Sequence, residues 1–172
     1  MALDALALDF NICLETQALD RQIVELTDRA FGPGRFVKTA ERLREDSTPI
    51  ADLSYVAMQG DRLLGSVRMW PIFIHDFEAN TYEPLVFLGP VVVDEAQRGR
   101  GIGKALISAC VPAAFARGLR AVLLVGSHSF FKPFGFEKSN GIILPGPVDP
   151  HRVLIRYSEP DIRFAGVVVK VI

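Results

Sequence analysis

The chain has 172 residues, of which 49% are hydrophobic and 23% are charged, and its formal net charge is −1. A chain of this length matches one domain, so we expect residues 1–172 to form a single domain. The composition excludes a disordered chain. The near-zero charge argues against a nucleic-acid partner, because binding to phosphates needs a basic surplus.

Two further classes are disfavoured. No run reaches the ~20 uncharged apolar residues of a membrane-spanning helix, and residues 1–7 lack the basic and apolar regions of a secretory signal. We therefore expect a cytoplasmic protein without a membrane partner.

The two cysteines, Cys13 and Cys110, form neither a disulfide framework nor a metal-ligand pair. Both are therefore predicted to be buried free thiols, and no metal is expected.

The N-terminal third predicts one strand and two helices. Apolar residues alternate with polar ones over residues 9–15, which is typical of a half-buried strand. Thr16 can then cap a helix whose apolar stripe runs from Leu19 to Ala30. The glycines and proline of residues 31–34 end this helix, and a shorter helix is predicted over residues 38–45.

The middle of the chain predicts an antiparallel meander followed by a crossover. Strands over residues 54–59 and 62–74 are joined by Gly60 and Asp61, a hairpin signal, and a third strand covers residues 84–93. A helix over residues 100–117 and a continuously apolar strand over residues 121–125 follow. A strand, helix and strand in this order predict that residues 84–93 and 121–125 are parallel neighbours.

Three more strands are predicted in the last part of the chain, over residues 142–144, 153–156 and 163–172. The fold class is therefore α/β, in the mixed α+β sense. We expect one mixed, mostly antiparallel sheet with helices on both faces.

The most informative segment is residues 91–106, where three glycines alternate between a strand and a helix: Gly99, Gly101 and Gly103. Backbone N–H groups at a helix start have no intrahelical acceptor, and glycines let an anion approach them closely. Three side chains add positive charge at this place: Arg98, Arg100 and Lys104. The segment therefore predicts a phosphate or pyrophosphate site.

Two known phosphate-binding patterns do not fit this spacing. A dinucleotide fingerprint requires glycine where Lys104 stands. A P-loop requires glycine at position 98 and serine or threonine at position 105, where the chain has Arg98 and Ala105. On the local pattern alone, a plain strand-to-helix turn remains the alternative.

Residues 98–103 resemble the Arg/Gln-x-x-Gly-x-Gly signature of GNAT acetyltransferases. Downstream, the run from Phe131 to Phe136 is similar to the Tyr-x-x-x-Gly-Phe element of that superfamily. Gly89-Pro90 and the Leu144-Pro-Gly-Pro147 run resemble the YhbS-like branch of predicted bacterial N-acetyltransferases. The resemblance covers roughly residues 88–147.

This resemblance implies an N-acetyltransferase that moves an acetyl group directly from acetyl-CoA to an amine-bearing acceptor. It implies a gap between the parallel strands that holds the pantetheine arm, a pyrophosphate bound to backbone N–H groups, and no metal. A homodimer is compatible with it. The residues implied in coenzyme A binding are Val91, Val93, Arg98, Gly99, Arg100, Gly101, Gly103, Lys104 and Phe131.

The chain departs from the family pattern at Phe131, which stands where many relatives have a tyrosine that protonates the departing thiolate. His128 and Ser129 are our candidate catalytic residues, because they follow a buried strand at the edge where open α/β sheets bind ligands. Ser127 shares this position. Weaker candidates for the proton transfer are His75, Glu83 and His151. Weaker candidates for the lining of an acceptor pocket are Trp70, Phe73 and Phe77.

A second function remains open at this point. Phenylalanine cannot donate a proton, so the chain is either a transferase with a substitute donor or a non-catalytic module that binds coenzyme A as a sensor or interaction partner.

Overall fold

The computed structural model describes residues 9–171. The expectation about a secretory signal in residues 1–7, and Ile172 of the last predicted strand, lie outside this part. Among residues 9–171, none of the helices combines the length and the apolar character needed to cross a membrane. The helices are α1 (Asp20–Phe31), α2 (Thr39–Arg44), α3 (Ile102–Ala116) and α4 (His128–Phe131). The strands are β1 (Asn11–Leu14), β2 (Tyr55–Gln59), β3 (Arg62–Asp76), β4 (Thr81–Val93), β5 (Ala121–Val125), β6 (Glu137–Lys138), β7 (Ile142–Ile143), β8 (Val153–Tyr157) and β9 (Gly166–Lys170).

The strands form one mixed sheet in the order β1-β2-β3-β4-β5-β8-β6, and β9 pairs with both β3 and β7. The length of β3 explains this branching, because its first half pairs with β2 and its second half with β9. The predicted mixed, mostly antiparallel sheet is confirmed. Besides the expected parallel pair of β4 and β5, β7 and β9 form a second, two-residue parallel pairing.

Helices cover both faces of the sheet, as predicted. The buried side of α3, which includes Ile102, Leu106 and Cys110, packs in one apolar cluster with β2 to β5. On the opposite face, Leu43 of α2 joins a second cluster that includes Phe87 of β4. Each face of the sheet therefore has its own core.

The parallel strands β4 and β5 pair at only two positions, Val86 with Val122 and Phe87 with Leu123. Beyond these pairs β4 contains a bulge, because the step from Leu88 to Val91 is matched by only two residues of β3. An extra residue bends a strand away from its neighbour. The predicted divergence of these strands toward Val93 and Gly126 is confirmed.

The structure corrects the prediction in three short segments. Residues 128–131 form a helical turn and residues 137–138 form the two-residue strand β6, and neither element was predicted. Helix α3 begins at Ile102 rather than at residue 100, because Gly101 adopts a left-handed conformation with φ of +79°. Such short elements carry too few residues for a periodic pattern.

The two cysteines differ in their environment. Cys110 is buried under the sheet, as predicted, whereas the prediction for Cys13 is wrong because this residue lies exposed on the edge strand β1. Burial raises the pKa of the Cys110 thiol to about 12.

We expect a thiol reagent at pH 8 to modify Cys13 alone in the folded protein, and Cys110 only after denaturation. Mass spectrometry counts the modified thiols. Rapid double labelling of the folded protein would contradict this assignment.

Candidate functional site

An open cavity of about 800 Å³, the first cavity, lies where β4 departs from β5 and α3 begins. Its wall combines the end of β4, the loop before α3 and aromatic side chains of α1 and α4. The lining residues are Ala30, Phe31, residues 91–93, residues 97–104, Phe130 and Phe131. The structure therefore brings together every residue that the family resemblance implied in coenzyme A binding.

Residues 98–104, the cradle, offer free space and unpaired donors. Gly99 and Gly101 have positive φ, and a Cβ at either position would meet no atom within 4 Å. The first intrahelical hydrogen bond of α3 runs from the N–H of Ala105 to the carbonyl of Gly101. The N–H groups of residues 102–104 therefore have no intrahelical acceptor. Donors of this kind at the positive end of a helix dipole form a site for an anion.

The end of β4 presents a second set of backbone groups. The N–H of Asp94 donates to the carbonyl of Leu64 at 2.8 Å on the β3 side. Because donors alternate along a strand, the N–H groups of Val91 and Val93 point to the opposite edge, where pairing with β5 has already ended. This edge is open to an extended ligand in the gap.

The three cations of the cradle differ in their surroundings. Arg98 and Lys104 are exposed, and within residues 9–171 neither forms an ion pair. Arg100 is instead engaged by protein groups: it pairs with Asp9, contacts Gln97 and lies 5.7 Å from the ring of Phe10. Within the described part of the chain, Arg98 and Lys104 therefore remain available beside the open N–H groups.

A second cavity, of about 270 Å³, lies at the same gap on the side of α1 and α2. Residues 88–91 of β4, residues 124–127 and Phe131 form its sheet side. Its helical side carries most of the charge, in Arg35, Lys38, Glu41 and Arg44, and Arg152 adds a further cation. The two cavities share three apolar residues: Phe31, Val91 and Phe131.

Phe131 belongs both to this shared wall and to the core, with 8% of its surface exposed. Its ring makes edge contacts with Phe130 and Phe136 at centroid distances of 4.9 and 5.7 Å. Gly126 lies against the same ring, since a Cβ there would be 2.6 Å from a ring carbon. Phe131 therefore separates the two cavities as a packed wall.

The candidate catalytic residues His128 and Ser129 lie in the first turn of α4, and neither lines either cavity. Their neighbour Ser127 does line the second cavity, and its hydroxyl lies 2.9 Å from that of Ser129. The catalytic roles of His128 and Ser129 stay predictions. Their position beside the gap follows from β5, which ends at Val125.

The weaker candidates lie outside both cavities. His75 stacks on Tyr82 at 4.1 Å near the β3–β4 turn, and Glu83 pairs with Arg120 at 3.2 Å. His151 is exposed in a separate turn. The indole N–H of Trp70 donates to the carbonyl of Gly89 at 2.6 Å, while Phe73 and Phe77 do not line either cavity.

Sequence reasoning did not identify Phe31 and the charged residue Arg44 of α2 as part of the site. Phe31 was expected only to end a helix, yet its side chain lines both cavities. Arg44 lies in a segment rich in lysine, arginine and glutamate, a composition that is typical of a solvated helix face. Only 12% of its side chain is nevertheless exposed. No local signal distinguishes such a buried arginine from its exposed neighbours.

Residues 21–136 match the Acetyltransferase (GNAT) family. The chain therefore belongs to the GNAT acetyltransferase family, as the resemblance implied. A relative from Mycobacterium tuberculosis, described as a tRNA-acetylating toxin, is 35% identical over 80 residues, which are 42% of this chain and 44% of that protein. The match thus spans less than half of this relative's length.

Two solved structures share the fold. Escherichia coli YhbS, crystallised in complex with CoA, matches with a TM-score of 0.78 and 23% identity over 94% of this chain and 89% of that one. A Brucella melitensis GNAT family acetyltransferase in complex with acetyl-CoA matches with a TM-score of 0.65 and 25% identity over 92% and 94% of the two chains. The resemblance to the YhbS-like branch is confirmed at the level of the fold.

Proposed function

We propose that residues 1–172 form a single acyltransferase domain that moves an acetyl group from acetyl-CoA to an amine. The observation that carries this proposal is the gap between β4 and β5, which opens directly onto the unpaired N–H groups at the start of α3. A thioester with a pyrophosphate and an extended arm matches both features. CoA and acetyl-CoA in the structures of the two fold relatives support the same ligand.

The first cavity is the proposed coenzyme A site. The cradle N–H groups, including those of Gly99, Gly101 and Gly103, would hold the pyrophosphate, with Arg98 and Lys104 neutralising its charge. The outward N–H groups of Val91 and Val93 would bind the pantetheine arm and stabilise the oxygen on which charge develops during transfer. Arg100 would act indirectly, by fixing the cradle to Asp9.

The second cavity is the proposed acceptor site, because it meets the first at the shared wall of Phe31, Val91 and Phe131. The thioester supplies the acetyl group there. Ser127 provides a hydroxyl on this side, and Ser129 can pass a proton to it across their 2.9 Å contact. His128, adjacent to both, is the proposed acid–base group. The thiol of coenzyme A has an ordinary pKa of about 8.5, so its thiolate is a tolerable leaving group. The departing thiolate therefore needs little assistance from this proton donor.

The acceptor is proposed to be a small amine rather than a nucleic acid. The name of the Mycobacterium tuberculosis relative brings tRNA into consideration. A net charge of −1 provides no basic surplus for an RNA backbone, and a cavity of about 270 Å³ suits a small molecule.

Phe131→Tyr is expected to accelerate acetyl transfer modestly, because a hydroxyl at the shared wall could protonate the departing thiolate. A positioned acid typically contributes about 10²–10⁴-fold. Turnover is measured as thiol release from acetyl-CoA, with Phe130→Tyr as the matched control. His128→Ala should slow the parent more than Phe131→Tyr, since the new hydroxyl bypasses the histidine. Unchanged turnover in a folded, CoA-binding Phe131→Tyr protein would contradict a limiting proton transfer.

The experiment that tests the proposed function pairs thiol release over a panel of amines with calorimetric binding of coenzyme A. Transfer to any amine at a rate above buffer hydrolysis supports the transferase. Binding of coenzyme A without transfer to any member would favour the second candidate, a non-catalytic module, which the missing tyrosine at position 131 supports. Absence of coenzyme A binding would refute both.

A further inference from the structure

We infer that the acceptor amine also carries a carboxylate or a phosphate group, and that Arg44 binds this anion in the second cavity. The inference rests on the proposed function, because the second cavity is an acceptor site only if the thioester occupies the first. It concerns a residue outside the cradle and outside the proposed proton-transfer groups.

Arg44 is a buried cation with unused donors. Only 12% of its side chain is exposed, and its Nε is buried without a hydrogen-bond partner in the described part of the chain. Its guanidinium faces the ring of Phe87 at 5.3 Å. Burial lowers the pKa of Arg44 to about 10, which leaves it protonated at neutral pH. A buried donor without a partner is costly, and an anionic ligand would satisfy it.

The carboxylate beside Arg44 cannot neutralise this group alone. Glu41 accepts from Arg44 Nη1 at 3.2 Å with one oxygen and from Arg35 Nη1 at 2.6 Å with the other. Glu41 is therefore shared between two guanidinium groups. Asp28 pairs with Nη2 of Arg35 at 2.8 Å. The contact with Glu41 engages only Nη1 of Arg44, so within residues 9–171 Nη2 is the donor left for a ligand beside the buried Nε.

The remaining charges of the second cavity have the same sign. Lys38 and Arg152 are exposed on its lining, and among residues 9–171 neither forms an ion pair. The lining holds one carboxylate, that of Glu41, and four cations: Arg35, Lys38, Arg44 and Arg152. Even with Asp28 included, cations exceed carboxylates by four to two. This excess favours an anionic ligand.

Arg44 also lies at the right place for an acceptor. A Cβ at Gly89 would be 2.9 Å from Arg44 Nη2, so the guanidinium touches the bulge of β4. Val91, two residues further, belongs to the wall between the cavities. An acceptor whose anion binds Arg44 can therefore direct its amine toward that wall.

The test uses two matched pairs of amines with the full-length protein saturated with coenzyme A, so that the cradle is filled. β-Alanine is compared with β-alaninamide, and O-phosphoethanolamine with ethanolamine, by calorimetry. We expect at least one anionic member to bind about tenfold more tightly than its neutral partner, because a charged hydrogen bond is worth at least that factor. The two pairs distinguish carboxylate from phosphate.

Arg44→Gln should remove this preference and leave the affinity for coenzyme A unchanged. Arg42→Gln is the matched control, since Arg42 is an exposed residue of the same helix. If Arg44→Gln does not fold, the double variant Lys38→Ala and Arg152→Ala at the exposed rim should weaken binding of the anionic amine alone.

Equal binding of both members of each pair, or preference for the neutral members, would overturn the inference. So would binding of an anionic amine that is unaffected by Arg44→Gln, or acetylation of tRNA by a protein that binds neither β-alanine nor O-phosphoethanolamine. The proposed function fails differently, through a lack of coenzyme A binding. A protein that binds the anionic amine but releases no thiol would retain the anion site and lose only the transferase proposal.

Discussion

Replacing Gly103 by glutamate is expected to abolish coenzyme A binding while the protein stays folded. A Cβ at Gly103 would point into the first cavity, at 3.7 to 3.9 Å from side-chain atoms of Phe130, Val93 and Val91. These are ordinary contact distances, and an acidic residue in the first turn of α3 is compatible with the helix dipole. Its carboxylate would occupy the anion site and repel the pyrophosphate.

The expected loss of affinity is at least about a hundredfold, measured by calorimetry, with circular dichroism to verify the fold. Gly103→Ala is the control for bulk and should keep most of the affinity, and Gly103→Gln separates size from charge. Gly101→Glu is a weaker test, because φ of +79° strains any residue with a Cβ by about 1–2 kcal/mol. Parental affinity in Gly103→Glu would place the coenzyme A site elsewhere.

Arg68→Ala is expected to cause the largest loss of stability among the charged positions. Arg68 and Glu15 are each only 10% exposed and form an ion pair at 3.0 Å, and Arg68 also binds Asp20 at 2.7 Å. Removing one partner of a buried pair leaves an uncompensated charge, which costs about 3–5 kcal/mol. For a protein of this size the loss corresponds to a decrease in Tm of roughly 6–20 °C.

The control for Arg68→Ala is Asp20→Asn, which removes the charge of a carboxylate that is 61% exposed and should cost about 1 kcal/mol or less. Replacing both Arg68 and Glu15 by apolar residues of similar volume should restore much of the stability. Thermal unfolding followed by circular dichroism measures all four proteins. Equal effects of Arg68→Ala and Asp20→Asn would show that the pair with Glu15 contributes little.

The sequence was most informative where structure depends on neighbouring residues. Glycines at alternate positions between an apolar strand and a helix predicted both the crossover and the cradle, because turn geometry and helix-end donors are local properties. The divergence of β4 from β5 was predicted only through the family resemblance. The bulge at Gly89 and Pro90 that accompanies it depends on pairing with β3, which the local pattern does not specify.

What the sequence did not reveal depends on contacts between distant residues. Arg100 looked like a phosphate ligand, but it pairs with Asp9, which is 91 positions away. The exposure of Cys13 follows from the edge position of β1, since an edge strand has one uncovered side. Burial of Arg44 depends on how α2 packs against β4, and a charged helix segment gives no sign of it.

The gap between β4 and β5 is held by the protein's own side chains on both faces of the sheet. Apolar residues of the two strands meet in one cluster on the α3 face and in another on the α2 face: Val86, Leu88, Val122 and Leu124 in the first, and Leu85, Phe87, Ala121 and Leu123 in the second. The strands therefore cannot close or separate without disrupting a core. In kinetic terms, coenzyme A association needs no opening of the sheet, so its rate constant should reach the ordinary range of about 10⁵–10⁷ M⁻¹ s⁻¹. Changes in affinity caused by substitutions in the cradle should then appear mainly in the dissociation rate.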